Sequence, residues 1–201
     1  MEADWEFEVG PNAESLAAES PAAEGLAAPV IEAHWPGFVD LRLAPARAWH
    51  LPETVQLPAL GKALAKLNSA DSPVWTSKCD LWEHLEPDEF DADELDAPPD
   101  HATHAVGCYI DLLPKSDQQW HFPAMAATAC KRVCNLLRAV PLRCCRADLV
   151  IRRAFITPDL MELGITVYVT SCGESSAEAA RTFQAALAAF TDVLCAHPTL
   201  E

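Results

Sequence analysis

The feature that most constrains this chain is the switching of its hydrophobic period between His104 and Ala196. Apolar residues recur at a period of two in strands and near 3.6 in helices, so the period reports the local structure. His104 to Leu113 is rich in Val, Tyr, Ile and Leu and ends at Pro114, which predicts a strand. Phe122 to Val140 has Met125, Ala129, Val133, Leu136 and Val140 at helical spacing, Pro123 in its first turn and Pro141 beyond its end. Ala147 to Thr157 predicts a strand, and Pro158-Asp159 a turn. Leu163 to Ser171 predicts a second strand, with Leu163, Ile165, Val167 and Val169 on one face and Thr166, Tyr168 and Thr170 on the other. After Gly173, Ser175 or Ser176 caps a last helix whose buried stripe is Phe183, Leu187, Phe190 and Leu194.

This β-α-β-β-α order describes an α+β domain. It resembles the ferredoxin-like split βαβ arrangement: an antiparallel sheet with two helices on one face, here lacking its last strand. Val74 to Trp82 supplies a candidate edge strand from the N-terminal side, pairing antiparallel with His104–Leu113 and completing the core over 72–201. Between them, Glu83 to Asp100 carries nine acids and three prolines and predicts an exposed loop. The sheet face away from the helices needs cover, from N-terminal strands folded back or from a second chain. Tyr109, Phe155 and Tyr168 are expected on or near that face.

Residues 1–71 predict a smaller β-rich segment. Asp4 to Val9 alternates, with Trp5, Phe7 and Val9 sharing a face. Residues 12–29 are rich in Ala, Glu and Ser and predict a mobile linker. Pro29 to Leu43 predicts strand–turn–strand about Pro36-Gly37, and Leu57 to Leu67 a short helix with Leu60, Leu64 and Leu67 on one side.

The formal net charge of −16 disfavours nucleic acid and anionic lipid as whole-surface partners. There is no apolar run of membrane-spanning length and no basic, apolar leader at the N-terminus, so a cytoplasmic protein without a membrane partner is expected. Eight cysteines set mostly in apolar segments predict reduced thiols.

The candidates for chemistry are few. Cys130 and Cys134 lie four residues apart on a predicted helix, with Cys144-Cys145 beyond its end, a set in which buried structural thiols outweigh a zinc site. His101, His104 and Cys108, with Cys79 on the neighbouring strand, are candidate metal ligands by donor type. No fixed geometry follows from their spacing, and the reading assigns no metal and no cofactor. The run Asp91 to Asp96 lacks the glycine and the terminal glutamate of a calcium loop. No nucleophile elbow, phosphate-binding loop or dinucleotide fingerprint is present, so no catalytic residue is assigned.

Charge layout is more informative. Lys131, Arg132, Arg138, Arg143, Arg146, Arg152 and Arg153 are seven of the chain's fourteen basic residues, and they fall within 23 positions. They are the candidate binding residues, for an acidic partner or for the acidic loop itself. Six tryptophans, all before position 121, point to packing over the sheet or to an aromatic pocket.

The sequence therefore reads as a non-catalytic binding or regulatory module acting through self-association, as a dimer, or through a contact between acidic and basic protein surfaces. The alternatives are a small enzyme with a His/Cys site, with or without a metal, between the N-terminal segment and the sheet, and an RNA-associated module using the basic segment.

Overall fold

The computed structural model describes residues 1–8, 30–84, 90–98, 101–115, 120, 122–157 and 159–196. Its elements are β1 (Glu2–Phe7), β2 (Ile31–Glu32), a 3-10 turn (Pro45–His50), α1 (Pro52–Gln56), α2 (Pro58–Leu67), β3 (Val74–His84), β4 (His104–Pro114), α3 (Pro123–Arg138), β5 (Cys145–Thr157), β6 (Leu160–Gly173) and α4 (Ser176–Ala196). The predicted linker 12–29, and Val9 with it, lies outside the described residues.

All six strands join one mixed sheet, in the order β1-β5-β6-β4-β3, with β2 also on β5. The β3–β4, β4–β6 and β5–β6 pairs are antiparallel, whereas β1 and β2 run parallel to β5. Val74–His84 thus takes the edge beside β4, the place for which Val74–Trp82 was the candidate. The four-strand split βαβ sheet is not the whole architecture. β1 and β2 extend the sheet past β5, and the chain from Ile31 to Phe38 turns back over one end of the open face.

Helices α2, α3 and α4 share one face, one more than the expected pair. Their apolar stripes meet Val106, Cys108, Ile110 and Leu112 of β4, Leu149 and Ile151 of β5, and Ile165, Val167 and Val169 of β6 in the main core. On α4 the predicted stripe of Phe183, Leu187, Phe190 and Leu194 is buried throughout. The Glu178 N–H donates to Ser175 Oγ at 3.3 Å, and the Glu178 carboxylate accepts from the Glu174 N–H at 3.1 Å, so this helix starts on a reciprocal cap.

The stripe of α3 is rotated from its expected position. Ala126, Ala129, Cys130, Val133, Cys134 and Leu137 are buried, while Met125 is exposed. Cysteine packs as a small hydrophobe, and two cysteines one turn apart carry the buried line. Among the described residues of 30–43 only Ile31–Glu32 is strand, and the rest turns about Trp35–Phe38.

Candidate functional site

The face of the sheet away from the helices is polar, and its two ends are covered by different segments. At one end Ile31, Ala33 and Phe38 pack on Trp75, Leu113, Ala154 and Ile156. The Ser77 hydroxyl donates to the Glu32 carbonyl, and Trp35 Nε1 donates to the Ser77 carbonyl at 3.2 Å, which ties this cover to β3. At the other end Phe90, Ala92, Leu95 and Ala97 of the acidic stretch pack with Ala102 on Ala105, Cys144 and Cys172. The described part of that stretch is a loop with Asp91, Asp93, Glu94 and Asp96 exposed, as expected, but anchored at two points. Leu95 and Ala97 are buried because they close the end of the sheet.

Among the described residues, the trough between the covers is floored by strands alone. Strand pairing fixes one transverse row across it: Asp80 of β3 opposite Tyr109 of β4, Tyr109 opposite Tyr168 of β6, Tyr168 opposite Asp148 of β5, and Asp148 opposite Asp4 of β1. Successive side chains on a strand alternate between faces, so register partners share a face. Two tyrosines thus stand at the centre of the open face with carboxylates on both sides. Their rings lie 6.1 Å apart, and Trp82 continues the aromatic surface at 6.4 Å from Tyr109. Trp82 lies flat because its register partner is Gly107, where a Cβ would come within 2.6 Å of the indole.

The next row holds Asp111, Thr166, Val150 and Glu6. Asp111 is 8% exposed, and Thr166 Oγ1 donates to its Oδ1 at 2.7 Å. Burial raises its pKa above the ordinary carboxylate value, against the Thr166 bond and the charges of Arg152 and Lys78. Burial also pushes the Tyr109 phenol up to about 12, with the charges of Asp111 and Asp80 adding to the shift. Asp148 is raised by burial, which outweighs its bond with Arg146.

Two cavities of about 450 and 460 Å³ open on this face and share Arg152 and Tyr168 as a common wall. Arg152 is held from two sides. Its Nε donates to Glu8 Oε2 at 2.7 Å, and its second nitrogen donates to the Tyr168 hydroxyl at 3.0 Å. The guanidinium carbon stands 5.6 Å from the Tyr168 ring centre, at the hydroxyl end of the ring.

The basic residues clustered in sequence do not form one patch. Alternation along β5 sends Arg146 and Arg152 to the open face and Arg153 to the other. Lys131, Arg132 and Arg138 ride on α3, and Arg143 lies in the turn after it. Among the described residues the carboxylate pairs they form include Arg138 with Asp4 at 3.6 Å, Arg143 with Asp96 at 3.0 Å, Arg146 with Asp148 at 2.7 Å and Arg152 with Glu8. The Arg143–Asp96 pair is a direct contact between the basic segment and the acidic stretch.

The His/Cys set is also dispersed. His101 Nδ1 pairs with Glu174 at 2.7 Å, and His104 Nδ1 lies 3.0 Å from the Thr103 hydroxyl. Cys108 is fully buried on the helix side beside Cys79, one step away in the β3–β4 ladder. Among the described residues, no three His, Cys, Asp or Glu side chains stand together as a metal site would require. Burial raises the thiol pKa at Cys79 and Cys172 to about 12 and at Cys134 and Cys145 to about 11. These thiols are protonated near neutral pH, which removes the nucleophilic form.

Sequence reasoning missed the transverse row. Tyr109 and Tyr168 stand on the expected face, whereas Phe155 alternates to the other with Ile151 and Arg153. The carboxylates Asp80, Asp148 and Asp4 join the tyrosines only through strand register. Compared with known proteins, the chain matches no family model, no curated protein and no solved structure.

Proposed function

We propose that the protein is a non-catalytic binding module and that the open face of its sheet is the recognition surface, working through contact with another protein. The observation that carries this reading is the row Asp80–Tyr109–Tyr168–Asp148–Asp4, framed by a cover at each end of the strands. Aromatic rings on rigid strands offer large contact area at little entropic cost, the usual chemistry of an interface anchor. The groups that would do chemistry are in unsuitable states: thiols held protonated, a tyrosine held neutral, and an arginine already bound to Glu8 and Tyr168. On this reading β3, β4, β6 and β5 with α3 and α4 form a permuted ferredoxin-like core, extended by β1 and β2. The antiparallel β3–β4 pair supports it. A reducing, cytoplasmic setting is part of the same proposal, supported by eight cysteines in no disulfide.

The test is selection from a random peptide library displayed on phage, followed by affinity measurement on variants. Tyr109→Ala and Tyr168→Ala are expected to weaken selected binders at least about ten-fold, the scale of a truncated aromatic anchor. Lys131→Ala, on the exposed side of α3, is expected to leave them unchanged. Selected binders that ignore both tyrosines and respond to Lys131 would overturn the proposal.

A further inference from the structure

Resting on that recognition surface, we propose that its occupant is an extended, arginine- or lysine-bearing segment of a partner protein, laid across the strands along the Asp80–Tyr109–Tyr168–Asp148 row.

Charge complementarity is the first argument. Asp4 is met by Arg138 of α3 at 3.6 Å, and on the open face Glu6, Glu8, Asp80, Asp111 and Asp148 stand against Lys78, Arg146 and Arg152. Two of those cations are already committed. Arg146 Nε donates to both oxygens of Asp148, at 2.7 and 2.8 Å, and Arg152 is clamped by Glu8 and Tyr168. Among the described residues, Asp80 accepts only from the N–H of its own neighbour Leu81, at 2.8 Å. Asp111 uses Oδ1 for Thr166, and no hydrogen bond reaches its Oδ2 among the described residues, although the side chain lines the cavity beside Lys78 and Tyr109. The face therefore presents acceptors and negative charge in surplus over donors. It fits a ligand that brings donors and positive charge.

The second argument is the aromatic surface. A cation over a tyrosine or tryptophan face is attracted by the ring quadrupole, and Arg42, whose guanidinium carbon stands 4.0 Å from the Trp75 ring centre, already shows the geometry inside the molecule. A carboxylate stands next to each ring in the row, so a guanidinium over the ring can donate sideways to it.

The third argument is spacing. Along the row the ring centres of Tyr109 and Tyr168 stand 6.1 Å apart. An extended chain places residues i and i+2 on one side about 6.8 Å apart. Cations at two alternate positions of an extended segment laid across the strands therefore come over the two rings. The same charge layout disfavours a polynucleotide, whose phosphates would meet the carboxylates. It also disfavours a second copy, whose face would present the same surplus charge.

The probes are three synthetic dodecamer peptides and a twelve-nucleotide oligouridylate. One peptide alternates arginine with serine, one alternates glutamate with serine, and the third is a block peptide with its serines first and its arginines last. Each is titrated against the full chain by calorimetry. The expected result is binding of the alternating arginine peptide, weakened by added salt, tighter than the block peptide, with no binding of the acidic peptide or the RNA. Asp80→Asn and Asp148→Asn should each weaken it about three- to ten-fold, and Tyr109→Leu should weaken it about two- to five-fold. Circular dichroism melts of the variants separate loss of fold from loss of contact. Tighter binding of the acidic peptide or the RNA, no binding of the alternating arginine peptide, or binding indifferent to Asp80 and Tyr109 would each overturn the inference. Self-association that blocks the tyrosines would overturn it in favour of a second copy. If library binders are neutral or acidic yet still depend on Tyr109 and Tyr168, the recognition surface stands and only its cationic occupant falls.

Discussion

Asn68→Ala is expected to destabilise the fold by about 2–4 kcal/mol, although it removes only one small side chain. Asn68 sits at the C-terminal end of α2 and is 2% exposed. Its Nδ2 donates to the Leu64 carbonyl and to Thr76 Oγ1, both at 2.8 Å, and its Oδ1 accepts the Thr76 N–H at 3.0 Å. One amide thus closes the helix end and satisfies the outer edge of β3, just before the bulge between Thr76 and Cys79. In the alanine variant the Leu64 carbonyl keeps the Asn68 N–H, at 3.1 Å, and the Thr76 hydroxyl can turn to a new partner. The Thr76 N–H cannot turn. A buried donor left unpaired costs about 1–3 kcal/mol, and the lost bonds add about 1 kcal/mol more. With a urea slope of about 2 kcal/mol/M, the midpoint should fall by about 1–2 M, read by far-ultraviolet circular dichroism. Lys62→Ala, exposed on the same helix, is the control. An Asn68→Ala midpoint within about 0.3 M of that control would refute the reasoning, because Thr76 would then have another partner.

Other substitutions probe the open face. Gly107→Ala places a Cβ within 2.6 Å of the Trp82 indole, so it should cost about 1–3 kcal/mol and change the near-ultraviolet circular dichroism of the tryptophans. An unchanged spectrum and stability would show that Trp82 does not lie on Gly107. Asp111→Asn tests the buried carboxylate. Because the folded pKa of Asp111 is raised above 3.8, the folded state holds its proton more tightly than the unfolded chain does. Its contribution is therefore complete below pH 3.8 and is lost as pH rises through the higher folded value. Urea denaturation from about pH 3.5 to about pH 7 should show less loss of stability with rising pH in the Asn variant than in the wild type. Equal slopes would contradict the assigned burial.

Much of the sheet was legible because each strand's alternation is local. The helix of Phe183, Leu187, Phe190 and Leu194 announces its buried side at a 3.6 period, and Val74–Trp82 needed only one antiparallel neighbour. The rotation of α3 was not legible, because Cys130 and Cys134 pack as core or lie at its margin with equal ease in sequence. The run 30–43 carries strand-forming residues but is held by Ser77 and Trp35 as a cover over β3, a tertiary contact that outweighs local propensity. The basic cluster misled for a geometric reason. Neighbours in sequence part company when alternation on β5 sends Arg152 and Arg153 to opposite faces. The recognition row has the converse property. Asp80, Tyr109, Tyr168, Asp148 and Asp4 come from five strands, and only the register of four ladders assembles them.

The most direct test of the recognition surface is a chemical-shift map of the isotope-labelled full chain, titrated with the tightest peptide from the library. The account predicts the largest shifts at Asp80, Tyr109, Tyr168 and Asp148, with α3 and α4 silent. Shifts concentrated on α3 and α4, with the transverse row unmoved, would contradict it.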